Sequence, residues 1–150
     1  MVEIWKDIKG YEGLYQVSNL GRIKSLPRKS KNRIVKQENI KKPSTLPKGY
    51  LQICLYKNGK VKYSSIHRLV AKTFIPNPNK FPCVNHKDCN PKNNEVSNLE
   101  WITYKENNNY KNHNLKRNIT NCIYYLKRDY PNEIYIINQL QEIKEKIQNL

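Results

Sequence analysis

The chain has 150 residues, with 28 Lys+Arg against 12 Asp+Glu and a formal net charge of +16. That excess points to a polyanionic partner, and the length admits one ordinary domain or two small ones, excluding a large multidomain enzyme. With 37% hydrophobic residues and 11 Tyr, the chain carries too much apolar and ring surface for a wholly disordered basic tail.

No apolar run approaches the roughly 18 residues of a membrane span, and Met1-Val2-Glu3-Ile4-Trp5-Lys6-Asp7 lacks the layout of a signal peptide, so a cytosolic or nuclear protein is expected. Cys54, Cys83, Cys89 and Cys122 show no close pairing of the CxxC kind, and reduced thiols are expected rather than a zinc ribbon or a disulfide framework.

Residues 3–26 carry β-branched and aromatic residues broken by Gly10, Gly13 and Ser18-Asn19-Leu20-Gly21, which predicts short strands joined by tight turns. From Pro27 to Lys48, cations including Arg28, Lys29, Arg33 and Lys36 face only Glu38. The stretch reads as an exposed basic loop; a solvated linker would look similar, and the one-sided charge favours phosphate contact. Leu51, Ile53 and Leu55 alternate with more polar residues up to Asn58-Gly59, the strongest short hairpin signal, and Val61, Tyr63 and Ser65 return. Ile66, Leu69, Val70, Thr73 and Phe74 follow at helical spacing and stop before Pro76. His67 begins that helix, where a capping or hydrogen-bonded histidine is favoured over a catalytic one. Residues 110–132 read as a polar connector with a short helix near Ile123-Tyr124-Tyr125-Leu126. Ile136, Leu140, Ile143, Ile147 and Leu150 then form a heptad-like stripe whose helix is expected to dock on the rest of the chain in preference to dimerising.

Residues 83–109 hold the chemistry. A short apolar approach ends in Asn85-His86, a turn-rich loop runs through Asn90-Pro91, and Leu99-Glu100-Trp101-Ile102 leads through Thr103 into a helical start. Thr103 and Glu106 stand at capping-box spacing, which places Asn107 on the first turns of that helix. One histidine at a strand end can take a proton from water while side-chain oxygens on strand and helix hold a hard divalent cation, the two parts that phosphodiester hydrolysis needs. On the residues alone, a satisfied polar turn explains the segment equally well.

Val84-Asn85-His86-Lys87-Asp88, Asn93-Asn94, Ser97-Asn98-Leu99-Glu100-Trp101 and Glu106-Asn107, preceded by His67-Arg68-Leu69-Val70-Ala71 and Phe74-Ile75-Pro76, resemble the HNH endonucleases of the phage intron-encoded homing type. Residues 3–26 resemble the short modular motif that precedes such nuclease domains. Together the likenesses cover about three quarters of the chain, and two long motifs in order weigh more than a satisfied turn.

The resemblance implies an α+β chain: a β-rich DNA-binding region over 1–48, a ββα-metal nuclease domain over 49–113, and a connector with an amphipathic helix over 114–150. It implies His86 as the general base, Asn98 as the brace of the loop that helps orient it, and Asn85 and Asn107 as ligands of a single Mg2+ or Mn2+. Position 85 is often Asp in that family. Asn85 brings no charge, so the cation must be balanced by DNA phosphates and should bind weakly without DNA. Cys89 stands where the family often has Gly, and a left-handed turn there costs Cys about 1 kcal/mol more. For Asp88, an Asx-type turn is favoured over a role as rival ligand.

The implied reaction is hydrolysis of double-stranded DNA leaving a 5′ phosphate, by nicking, since one site cuts one strand per encounter. Arg22, Lys24, Arg28, Lys29, Arg33, Lys36 and Arg68 are the expected DNA contacts, and a monomer is expected, with a dimer through the last helix as the other arrangement. No helix-turn-helix is found in 116–150. Two rivals remain: a non-catalytic DNA-binding protein on a degenerate HNH scaffold, and an RNA-binding protein stacking its tyrosines on bases.

Overall fold

A computed structural model describes residues 2–30, 33–130 and 132–148. These form two compact units, Met1–Ile102 and Thr103–Leu150. In the first unit the chain begins with β1 (Trp5–Asp7), β2 (Tyr15–Ser18) and β3 (Ile23–Ser25), the short strands expected from the glycine-punctuated N-terminus. Residues 27–48 are not a plain basic loop. Arg28–Ser30 (β4) and Arg33–Val35 (β5) pair as a hairpin, Asn39–Ile40 (β6) adds to β3, and Ser44–Thr45 (β7) pairs with the strand that follows. The charges had masked the strands. Ile34 and Val35 lie between cations, and the extended backbone is supplied by edge pairing and not by an apolar alternation.

β8 (Leu51–Lys57) and β9 (Lys60–Ser65) form the expected hairpin, with Asn58 at φ 50° and Gly59 at φ 78°, the two left-handed residues of a tight turn that follows strand twist. α1 (Ile66–Phe74) follows without a break, and burial of Ile66, Val70 and Ala71 fixes its inner face. β10 (Cys83–His86) and β11 (Leu99–Ile102) then pair antiparallel, Asn85 opposite Glu100 and His86 opposite Leu99, with a single 3₁₀ turn at Val96–Asn98 before β11.

One apolar core serves this whole unit. Ile8, Tyr15, Val17 and Ile23 from the N-terminal strands meet Ile53 and Leu55 of β8, Ile66 and Val70 of α1, and Leu99 of β11. The expected N-terminal module and nuclease strands are therefore packed on each other, and neither buries its apolar face alone.

In the second unit, residues 114–129 are not a connector: α2 runs unbroken from Tyr104 to Asp129. Its start is set by Thr103, whose hydroxyl accepts the Glu106 N–H at 3.2 Å, while the Glu106 carboxylate accepts the Thr103 N–H at 2.8 Å. Its polar interior hides a sparse stripe, Ile119, Ile123 and Leu126, which packs against α3 (Ile134–Gln148) through Ile137, Leu140 and Ile147. The buried stripe of α3 is thus centred on Ile137 and not Ile136. Ile136 and Ile143 are exposed, and Leu150 lies outside the described residues. No helix among the described residues is long and apolar enough to cross a membrane.

Candidate active site

His86 closes β10 and is buried. Its Nε2 lies 3.1 Å from Oδ1 of Asn94, and Asn94 is itself buried, its Nδ2 donating to the Lys92 carbonyl at 3.1 Å. The Lys92 bond orients the carboxamide, so the atom presented to the ring is an oxygen. An N–H on Nε2 donates to that oxygen, and in that tautomer the ring lone pair is on Nδ1. The sequence motif contains Asn94, but no spacing rule distinguishes it from its asparagine neighbours, and its contact to His86 was not anticipated.

Asn98 acts on the loop. Its Oδ1 accepts the Asp88 N–H at 3.1 Å, and its Nδ2 donates to Asp88 Oδ1 and to the Asn93 carbonyl, both at 2.9 Å. Asp88 is drawn into a turn of its own, accepting the Asn90 N–H at 2.8 Å and Asn93 Nδ2 at 2.7 Å. Burial works to raise the Asp88 carboxyl, but these hydrogen bonds and the nearby His86 outweigh it and hold the carboxyl below its ordinary value. Cys89 adopts φ 63° and donates its N–H to the His86 carbonyl at 2.9 Å, so the turn after the histidine is left-handed at a residue with a Cβ.

Asn85, opposite Glu100, donates Nδ2 to Glu100 Oε1 at 2.8 Å, which leaves Asn85 Oδ1 as its remaining acceptor. Among the described residues no three His, Cys, Asp or Glu side chains gather as a metal cluster. The oxygen chemistry of Asn85 fits a hard divalent cation, and Glu100 brings a carboxylate to an otherwise neutral donor. Asn107 belongs to the second unit, on the first turns of α2, its N–H bonded to the Thr103 carbonyl.

His67 is not the satisfied capping histidine expected at the start of α1. Its ring sits among Tyr50 and His86, with centroids 5.2 Å away in both cases, and its Nδ1 is buried with no hydrogen-bond partner among the described residues. Burial, then the neighbouring His86 and Arg68, push its pKa down to about 4, so it is neutral at pH 7.

The expected DNA contacts divide. Arg22 forms an ion pair with Glu3, and Lys24 bonds Glu38 at 3.1 Å. Arg28 is a structural clamp, bonding the Leu14 carbonyl, Ser25 Oγ and Tyr15 Oη at 2.9–3.0 Å. Arg68 bonds the Pro82 carbonyl at 3.1 Å and lies over the Trp101 ring. Lys29 and Lys36 are exposed; the Arg33 side chain lies outside the described set. A cleft of about 440 Å³ runs beside the Asn94 loop, with Arg22, Lys41, Lys42 and Lys92 on its walls.

Residues 3–56 match the NUMOD4 motif. Over 104 residues the chain is 46% identical to DNA endonuclease I-HmuI of Bacillus phage SP01, covering 69% of this chain and 54% of that protein. It is 42% identical over 110 residues to an uncharacterized HNH endonuclease, L245, of Acanthamoeba polyphaga mimivirus, covering 73% of this chain and 30% of the relative. A solved structure of DNA binding and cleavage by the HNH homing endonuclease I-HmuI superposes with a TM-score of 0.59 at 41% identity, covering 72% of this chain and 57% of that one. The chain spans 30% of the length of the mimivirus relative and 54% of that of I-HmuI. Over about 70% of its length the chain is thus similar, in sequence and in its mixed strand and helix fold, to the HNH homing endonuclease I-HmuI, and its residues 3–56 carry the NUMOD4 motif.

Proposed function

We propose that this chain is a metal-dependent DNA endonuclease that nicks one strand of a duplex. The observation that carries the reading is the state of His86: a buried imidazole at a strand end, with Nε2–H committed to Asn94 and the Nδ1 lone pair left for a proton from water. Its homology to I-HmuI supplies the reaction class.

In this reading His86 takes the proton of the attacking water as it adds in line to phosphorus. Asn98 keeps the loop after the histidine closed, holding Asp88 and Asn93 together. Asn85, with Glu100 behind its amide, would offer its Oδ1 to a single divalent cation, Mg2+ or Mn2+, and the resemblance to the HNH motif assigns Asn107 as the other amide ligand. That cation, when bound, supplies positive charge against the pentavalent transition state and the leaving 3′ oxygen. Because neither amide is charged, duplex phosphates complete its neutralisation, and metal affinity rises when DNA is present. Lys41, Lys42 and Lys92 on the walls of the cleft, with the exposed Lys29 and Lys36, take the phosphates of the backbone, supported by the +16 net charge. Arg28 and Arg68 also bond carbonyls within the unit, of Leu14 and Pro82. Each chain carries one such site and works as a monomer.

A supercoiled-plasmid assay tests this. Wild type converts plasmid to the open circle with Mg2+ or Mn2+ and not with EDTA, and His86→Ala loses the activity by at least a hundredfold, on the scale of general-base catalysis, while retaining DNA affinity. Equal cleavage by His86→Ala rejects the assignment. The non-catalytic reading is favoured by the neutral amides at 85 and 107 alone; gel shifts without cleavage across many duplex sequences would establish it.

A further inference from the structure

The loop that holds His86 does not stand on the nuclease strands alone. Asn94 lies against the β2–β3 turn of the NUMOD4 motif: a Cβ built on Gly21 would come 2.7 Å from Asn94 Cβ and 3.0 Å from its carbonyl oxygen. Gly21 also has φ +79°, so its missing side chain is required twice, by the backbone and by the approach of Asn94. Two residues before, the Asn19 carbonyl accepts the Val96 N–H at 2.9 Å, which ties the other end of the Asn94 segment to the same turn.

The turn is built to be stiff. Ser18, fully buried, accepts the Leu20 and Arg22 N–H groups on Oγ at 3.3 and 3.0 Å, and the Gly21 N–H donates to the Ser18 carbonyl at 3.1 Å. The Asn19 side chain accepts the Ile4 N–H at 2.7 Å and donates to the Val2 carbonyl at 3.1 Å, anchoring the turn to the N-terminal segment. A continuous run of contacts therefore leads from the N-terminal motif through Gly21 and Asn94 to Nε2 of His86.

From this run we infer that the β2–β3 turn is a positioning element of the active site: Gly21 and Asn19 seat the Asn94 loop, and Asn94 fixes the tautomer and ring orientation of His86. The inference rests on His86 being the base, and assigns the N-terminal motif a task besides contact with DNA. Asn94, Gly21 and Asn19 act through His86 and touch no reacting atom. Removing the acceptor at 94 lets the ring rotate and exchange tautomers, and misplacement of a catalytic group on the ångström scale costs on the order of a hundredfold in rate.

The test combines single-turnover cleavage, DNA affinity and the ring nitrogens of His86. Asn94→Ala lowers the cleavage rate ten- to hundredfold with DNA Kd within twofold, and Asn94→Asp, which keeps an acceptor oxygen, recovers much of the loss. Long-range proton–nitrogen correlation spectra at pH 8 show the Nε2–H tautomer of His86 in wild type and a mixture in Asn94→Ala. Gly21→Ala slows cleavage in the same way, and the double variant Gly21→Ala/Asn94→Ala is no slower than Asn94→Ala, because both act through one contact. Should Gly21→Ala fail to fold, Ser18→Ala loosens the turn without adding a Cβ clash and gives a smaller loss of the same kind.

An unchanged tautomer in Asn94→Ala overturns the inference. So does a loss in Gly21→Ala or Ser18→Ala that is carried by Kd, or that adds to that of Asn94→Ala. Any of these with an inactive His86→Ala leaves the proposed function standing; an active His86→Ala removes both.

Discussion

The strand-rich unit and the helical hairpin bury their apolar residues on different scales. In the first, nine buried residues from six separate stretches of chain close one core, from Ile8 to Leu99. In the second, Ile119, Ile123 and Ile137 are the buried apolar residues among those described between two long helices, and Tyr124, Tyr125 and Tyr135 are exposed. His86 stands on the unit with long-range contacts, where a shift at one strand is felt by the others. The hairpin depends on local helical order with a thin apolar seam, so it opens at lower cost.

The largest expected effect separates these two scales. Leu55→Ala, in the shared core, destabilises by about 3–5 kcal/mol and abolishes cleavage and DNA binding together, whereas Ile123→Ala costs about 2 kcal/mol and shifts only the melting of the helical part. Urea unfolding followed by tryptophan fluorescence, which reports Trp5 and Trp101, and by far-ultraviolet dichroism resolves the two. Equal losses from both variants would erase the contrast.

Acid is a second way to break the comparison, because His67 is buried in the first unit. Its folded pKa of about 4 lies below the ordinary 6.5, so the unfolded chain takes up a proton first as pH falls. The stability it contributes is complete above pH 6.5 and is lost progressively down to pH 4, by up to about 3 kcal/mol. Melting curves of wild type should fall across that window, and His67→Phe, whose ring does not titrate, should flatten the fall. An equal slope in the variant would assign the acid sensitivity elsewhere.

Smaller effects sharpen each side. Thr103→Ala removes the cap of α2 and costs about 1 kcal/mol, read as lower helical dichroism at 222 nm before the main transition. Cys89→Gly relieves the left-handed turn after His86 and stabilises the first unit by about 1 kcal/mol in the same urea experiment.

Where signals were local, the sequence was legible. Asn58-Gly59 marks its hairpin because only a few residue types accept two consecutive left-handed conformations. Thr103 and Glu106 mark the start of α2 because their bonds are three residues apart. The approach of Gly21 to Asn94 joins residues 73 positions apart, and no periodicity points to it. Asn94 was hidden for another reason: in a chain this rich in asparagine, the one whose oxygen reaches His86 looks like those that close turns. α2 extends beyond its sequence signal because only Ile119, Ile123 and Leu126 pack among its described residues, a faint stripe in a polar helix, and the partner that makes the stripe useful is a separate helix.

Native-state amide hydrogen exchange tests most directly the central claim, that the NUMOD4 strands and the nuclease strands are one cooperative body on which His86 is placed. The account predicts that amides of Val17, Ile23, Leu55 and Leu99 exchange through a single opening with the free energy of global unfolding, above that of residues 119–147. Exchange of Val17 and Ile23 through a separate, cheaper opening, with Leu99 still protected, would contradict it.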